Sequence, residues 1–92
     1  MSDELARQIS DGEQAEYIIN HRLHKLAWNG IRDAIYQMLA DVNMHDTAGQ
    51  KELLRSLKNL ERVKEAYEMT INNGFVAKDA LRRSKLKELV GL

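Results

Sequence analysis

The sequence predicts an all-α protein: an antiparallel helical hairpin of two long helices, with a short N-terminal helix and a C-terminal helix, completed by oligomerisation. Composition is the first reason, because the 92 residues include no proline and 5 glycines while 30% are charged. The second is that apolar residues recur at spacings of three and four over long stretches. The third is a short polar linker between two such stretches, which favours antiparallel helical neighbours.

The length predicts one small domain over residues 1–92. A chain of this size buries ~60–65% of its unfolded surface on folding, and aromatic residues make up 5% of the sequence. Such a core is thin, so we expect assembly with a second copy or with a partner. Cysteine is absent, which excludes a disulfide framework and a thiolate zinc site.

The first two predicted helices cover residues 2–9 and 13–41. Ser10-x-x-Glu13 matches a capping box and predicts a break between them. Gly30 interrupts the second helix, either as a tolerated glycine or because another backbone or a large side chain approaches there. The apolar stripe of the second helix comprises Ala15, Ile19, Leu23, Leu26, Ala27, Ile31, Ala34, Ile35, Met38 and Val42.

The other two predicted helices cover residues 48–72 and 75–90. The linker 43–46 ends before Thr47-x-x-Gln50, a second capping box that predicts a helix start near residue 48. The stripe of this half continues to Ile71, and charged residues occupy most of its other positions.

Gly74 has two interpretations. It follows two asparagines, and Asn-Asn-Gly is a typical helix stop because glycine adopts the left-handed conformation. A hairpin of these lengths, however, sets Gly12 and Ala15 near Gly74 and Ala77, where small residues permit a close helix crossing. In that case the helix continues through Gly74.

Charge is unevenly distributed although the formal net charge is zero. Residues 1–46 carry a net charge of −4 and residues 47–92 carry +4. Exposed ion pairs contribute ~0–1 kcal/mol each. The attraction between the two oppositely charged halves therefore determines how the helices align more than it stabilises the fold.

Catalysis and metal binding find little support, and we expect no enzyme, no cofactor, and no catalytic or metal-ligating residue. Ser56 and Ser84 fall on predicted helix surfaces with no histidine at a fixed helical offset. His21 and His24 are three residues apart, but the di-iron bundle pattern needs glutamate three residues before each histidine. Ile18 and His21 stand there instead.

Protein contact is the favoured use of the apolar stripes. Trp28 and Tyr36, two helical turns apart, are the first candidates, because aromatic residues dominate interface energetics. The predicted interface comprises Trp28, Tyr36, Leu53, Leu57, Leu60 and Tyr67.

A basic C-terminal cluster supports an alternative, a nucleic-acid-associated factor in packaging or regulation. Its predicted contact residues are Lys78, Arg82, Arg83, Lys85 and Lys87. Phe75 is the one aromatic residue nearby, and Asp79 and Glu88 dilute the charge. Nucleic acid is therefore possible but not favoured. No apolar run approaches the ~20 residues of a membrane span, and no secretory signal is recognisable, so we expect a soluble cytosolic protein without membrane contact.

Six motifs occur together: Gly12-x-x-Ala15, Leu23-x-x-x-Ala27, a polar linker ending at Asp46, Lys51-Glu52-Leu53, Leu57-x-x-Leu60 and Gly74-x-x-Ala77-x-x-x-Leu81. Over roughly residues 10–82 they resemble short helical proteins of unassigned function encoded by tailed bacteriophages and prophages. The resemblance implies a phage origin and no established activity. We therefore expect a structural or assembly protein of the virion or host cytoplasm, partnered by a second copy or another phage protein. A regulator that docks a host enzyme is a third interpretation.

Overall fold

The computed structural model describes residues 2–91, which form three α-helices. They are α1 (Ser2–Asn20), α2 (Arg22–Asp41) and α3 (Thr47–Val90). No strand occurs in this described part of the chain, so the all-α class is confirmed. None of its helices has both the length and the apolar character that crossing a bilayer requires.

Packing within the chain groups it into two compact units, and α3 contributes to both. Unit 1 combines Met1–Ile19 with Ala66–Leu92, and unit 2 is Asn20–Glu65. The predicted single domain over 1–92 stays a prediction, and its end residues Met1 and Leu92 lie outside the described residues.

α1 is continuous through Ser10–Glu13, so the break predicted there is wrong. Ser10 is not used as a cap, because its Oγ accepts a hydrogen bond from the Gln14 side chain at 3.1 Å inside the helix. Gly12 is buried within unit 1, so the glycine serves packing. Residues 2–20 thus form one helix, and the predicted long helix 13–41 is divided between α1 and α2.

The break between the first two helices lies at His21. Its backbone is extended (φ −68°, ψ 133°), and its Nδ1 accepts the Leu23 N–H at 3.1 Å. The His21 carbonyl accepts the Lys25 N–H at 3.0 Å. Histidine is not among the residues that usually cap helices, which is why the sequence pattern did not indicate this position.

Asp46 caps α3, one residue before the predicted Thr47. Its Oδ1 accepts the Gly49 N–H at 2.8 Å and its carbonyl accepts the Gln50 N–H at 3.1 Å. The Gln50 side chain donates to the Met44 carbonyl at 3.1 Å and thereby ties the linker to the first turn of α3. The predicted linker is thus confirmed, with the cap displaced by one position.

α3 runs without interruption from Thr47 to Val90, so the predicted separate helices 48–72 and 75–90 are wrong. Gly74 does not adopt a positive φ; among the described residues Gly91 does, at 71°. The Gly91 N–H donates to the Glu88 carbonyl at 3.4 Å. Gly91 therefore supplies the left-handed stop that the sequence suggested for Gly74.

Unit 1 is held by a close crossing of α1 with α3. A methyl group placed on Gly12 would lie 3.0 Å from the Cα of Gly74, and one placed on Gly74 would lie 3.0 Å from the Cα of Gly12. Ala15 and Ala77, one turn further along each helix, are buried beside them. The helix-crossing interpretation of Gly74 is the one that the structure shows.

Unit 2 pairs α2 with the first half of α3. Ile35 is its buried apolar residue, 7% exposed. Further side chains of the unit are half-buried: His24, Trp28 and Leu39 on α2, Val42 at its C-cap, and Leu53, Leu57 and Leu60 on α3. Their spacing of three, four and seven residues gives one apolar face on each helix.

Candidate interaction surfaces

The six predicted interface residues take part mainly in packing inside the chain. Five of them are half-buried: Trp28, Leu53, Leu57 and Leu60 in unit 2, and Tyr67 in unit 1. The Trp28 ring stacks on the His24 ring, with centroids 5.6 Å apart. Tyr36 is exposed. Their use in an interface stays a prediction.

Four of these residues come together at a groove of about 250 Å³ in unit 2. Its apolar lining comprises Trp28, Tyr36, Leu57 and Leu60, and its charged lining comprises Arg32, Lys58, Glu61 and Lys64. Three of the four charges are positive. We call it the aromatic groove.

A second apolar face of α2 lies beside the face that packs on α3 and is exposed. This α2 stripe comprises Leu23, Ala27, Ile31, Ala34 and Met38, and its three large side chains are between 50% and 55% exposed. At 100° per residue its centre lies roughly 80° around the helix from Ile35. Gly30 borders the stripe, and no group of the described chain lies within 4 Å of where its side chain would be.

A basic face of α3 is the surface that the sequence analysis missed. Lys51, Arg55, Lys58 and Arg62 follow at i, i+4, i+7 and i+11 and, with Leu54 and Asn59, line a shallow groove of about 450 Å³. We call these four cations the α3 basic face. In linear order Glu52 and Glu61 interrupt them, which hides the cluster. A count at helical period would have found it.

Local carboxylates partly offset the charge of the C-terminal cluster. Arg82 and Arg83 each lie 2.9 Å from a carboxylate oxygen of Asp79, and Lys78 Nζ lies 3.4 Å from Glu13. All these groups are substantially exposed, so each pair contributes ~0–1 kcal/mol. Lys85 and Lys87 are exposed on the same segment. The five predicted nucleic-acid contacts stay a prediction, against which these ion pairs count.

Possible catalytic groups are engaged in helix-surface contacts. The Ser56 hydroxyl donates to the Glu52 carbonyl at 3.0 Å. Within residues 2–91 no group of three or more His, Asp or Glu side chains could hold a metal ion.

Arg7 donates to Glu4 at 2.6 Å, and this hydrogen bond, aided by the negative charge, raises the pKa of the Arg7 guanidinium.

Fold and surfaces together define an all-α protein whose notable features are exposed apolar and basic faces on long helices. Comparison with protein-family models, curated proteins and solved structures finds no match to this chain.

Proposed function

We propose that this chain is a non-enzymatic interaction protein that self-associates through its long helices and serves as a structural or assembly component. The main evidence for this proposal is that the chain has a thin internal core. Among the side chains that the structure describes, the buried apolar ones are Ala15, Ile35 and Ala77. Two alanines and one isoleucine remove little apolar surface from water at ~25 cal/mol per Å².

Surface area supports the same conclusion. The chain exposes 7415 Å², whereas a compact protein of 10.6 kDa exposes about 5,500 Å². The excess of roughly 1,900 Å² is more than twice the ~800 Å² that each partner buries in a standard interface. A second copy covering part of this surface would supply the apolar burial that the single chain lacks.

The α2 stripe is the surface that we assign to this contact. Its apolar residues repeat at helical spacing, and Ala27 and Ala34 between the larger side chains allow close approach of another helix. We also propose that the three helices form the hairpin expected from the sequence. Gly12 against Gly74 supports it in unit 1, and Trp28 sharing a groove with Leu60 supports it in unit 2.

Sedimentation analysis of the full chain and two variants tests the self-association. Ile31→Lys places a charge in the middle of the α2 stripe. We expect it to raise the dissociation constant of the self-associated form by ~10-fold or more, because burying an apolar side chain of this size contributes ~1.5–3 kcal/mol. Leu26→Lys is the matched control, since Leu26 is 63% exposed on another side of the same helix. A wild-type chain that stays monomeric across micromolar concentrations would refute self-association, and equal effects of the two variants would refute the α2 stripe.

Phage origin and a place in the virion are proposed on the sequence resemblance alone. Mass spectrometry of purified particles, with neighbours identified by cross-linking, tests this part independently of the sedimentation result. Presence in particles beside a defined set of proteins is the expected outcome. Absence from particles, with the protein abundant in the host cytoplasm, would favour the regulator interpretation.

A further inference from the structure

The α3 basic face in unit 2 is not accounted for by packing within the chain. From Lys51 to Arg62 its four cations span roughly 16 Å along the helix, at 1.5 Å per residue. Arg55 pairs with Glu52 at 3.0 Å. For Lys51, Lys58 and Arg62 the described chain provides no ion pair. Lys58 and Arg62 are like charges at i,i+4, and the nearest carboxylates on this helix, Glu61 and Glu65, form no ion pair with either.

Apolar surface lies among these charges. Leu54, 50% exposed, belongs to the same groove lining, and the aliphatic stems of the lysines and arginines extend that apolar surface. Lys58 also lines the aromatic groove, so the two surfaces adjoin. Single-stranded nucleic acid binds through phosphate contacts together with stacking on aromatic side chains. The lining of this groove has no aromatic residue, and Leu54 gives it apolar surface beside the cations.

We propose that the α3 basic face docks an acidic amphipathic helix of another protein. Carboxylates at i, i+4, i+7 and i+11 on such a helix match the cations in spacing, because both elements have the same rise and period. One apolar side chain between the carboxylates then covers Leu54. The charges fix partner choice and speed association, and the apolar contact adds the part of the affinity that salt does not screen.

This inference is independent of self-association, since α2 carries the stripe and α3 carries the basic face. Loss of one contact leaves the other measurable. A partner can therefore bind at the α3 basic face whether the protein is monomeric or oligomeric.

Fluorescence anisotropy with a labelled synthetic helical peptide tests the proposal. The peptide carries four glutamates at the matching spacing around one leucine, and a peptide of scrambled order serves as its reference. With the full-length chain we expect the ordered peptide to bind more tightly. Binding should weaken by ~10-fold or more in K58E/R62E, because two attractive pairs become repulsive.

The matched control is K85E/K87E, which makes the same change in net charge on the C-terminal segment of α3. We expect it to alter binding by no more than ~2-fold, the range of distant screened charges. A peptide with lysines in place of only the two glutamates that face positions 58 and 62 should regain binding to K58E/R62E. Leu54→Ala should weaken the binding that persists at high salt.

Three results would overturn the proposal. The ordered and scrambled peptides could bind equally, or the two double variants could lose binding equally, which would show general electrostatic attraction. Random-sequence duplex DNA could bind more tightly than the peptide and lose that binding in K58E/R62E. That last outcome would identify the α3 basic face as a nucleic-acid surface instead.

Discussion

Alanine at Gly12 tests the closest backbone approach in unit 1. Its methyl group would lie 3.0 Å from the Cα of Gly74 and 3.2 Å from the Thr70 carbonyl oxygen. Optimal separations between carbon atoms are ~3.5–4.0 Å. Both obstructing atoms belong to the backbone and cannot rotate away, so α1 and α3 must separate locally by about half an ångström.

Two opposing effects decide the sign of the change in stability. Alanine is favoured over glycine in a helix interior by ~1 kcal/mol. Forcing extra volume into a packed contact destabilises by ~1–3 kcal/mol, here by separating the helices around the buried Ala15 and Ala77. We expect Gly12→Ala to lower the free energy of unfolding by ~0–2 kcal/mol.

Gly30→Ala is the control, because no group of the described chain lies within 4 Å of the added methyl. It should raise the free energy of unfolding by ~1 kcal/mol through helix propensity alone. The two variants therefore differ in sign or in size although each makes the same chemical change in a helix.

Thermal and urea unfolding, followed by far-UV circular dichroism at equal protomer concentrations, measures the difference. For a chain of this size 1 kcal/mol corresponds to roughly 4–8 °C in Tm. The double variant G12A/G74A should deviate from the sum of its singles, because both methyl groups obstruct the same backbone approach. If Gly12→Ala stabilised the protein as much as Gly30→Ala, the close crossing would be refuted.

Two further substitutions test unit 2 and the start of α3. Ile35→Ala should lower the free energy of unfolding by ~2–4 kcal/mol, because it removes most of the one large buried side chain of the unit and leaves a cavity. Ile31→Ala on the exposed α2 stripe is the control. Equal losses of stability in the two variants, measured in dilute protein, would contradict the packing of Ile35. Asp46→Ala should lower the free energy of unfolding in urea by ~1 kcal/mol, because the helix cap is lost. A larger decrease in Thr47→Ala would show that Thr47, the residue that the sequence predicts, is the cap.

Helical periodicity predicted the class and the linker because both depend on patterns within one segment. Helix ends were harder, since Ser10-x-x-Glu13 and Thr47-x-x-Gln50 satisfy the same local rule with different outcomes. The first motif lies where α1 packs on α3, and packing of Gly12 against Gly74 favours a continuous helix. The second lies beside Asp46, a stronger cap one residue earlier. Whether a capping motif starts a helix thus depends on packing against another helix, as at Gly12, or on a competing cap beside it, as at Asp46. The four residues of the motif contain neither piece of information.

The interaction surfaces follow a similar logic. Trp28 and Leu57 were predicted to face a partner because large apolar residues dominate interfaces, yet they are half-buried by each other's helices. The packing of unit 2 partly covers these two side chains, whereas Tyr36, another predicted interface residue, stays exposed. Ile31 and Lys58 are also exposed, and the sequence analysis did not select them for an interface.

A pair of helices can cover one apolar face on each member. α2 has two such faces, one around Ile35 that packs on α3 and one around Ile31 that is exposed. Covering both needs a third helix against α2, as in a bundle. Unit 2 supplies α2 and part of α3. We therefore propose that a helix from outside unit 2 covers the α2 stripe, and a second α2 is the candidate because its own stripe would be covered in the same contact.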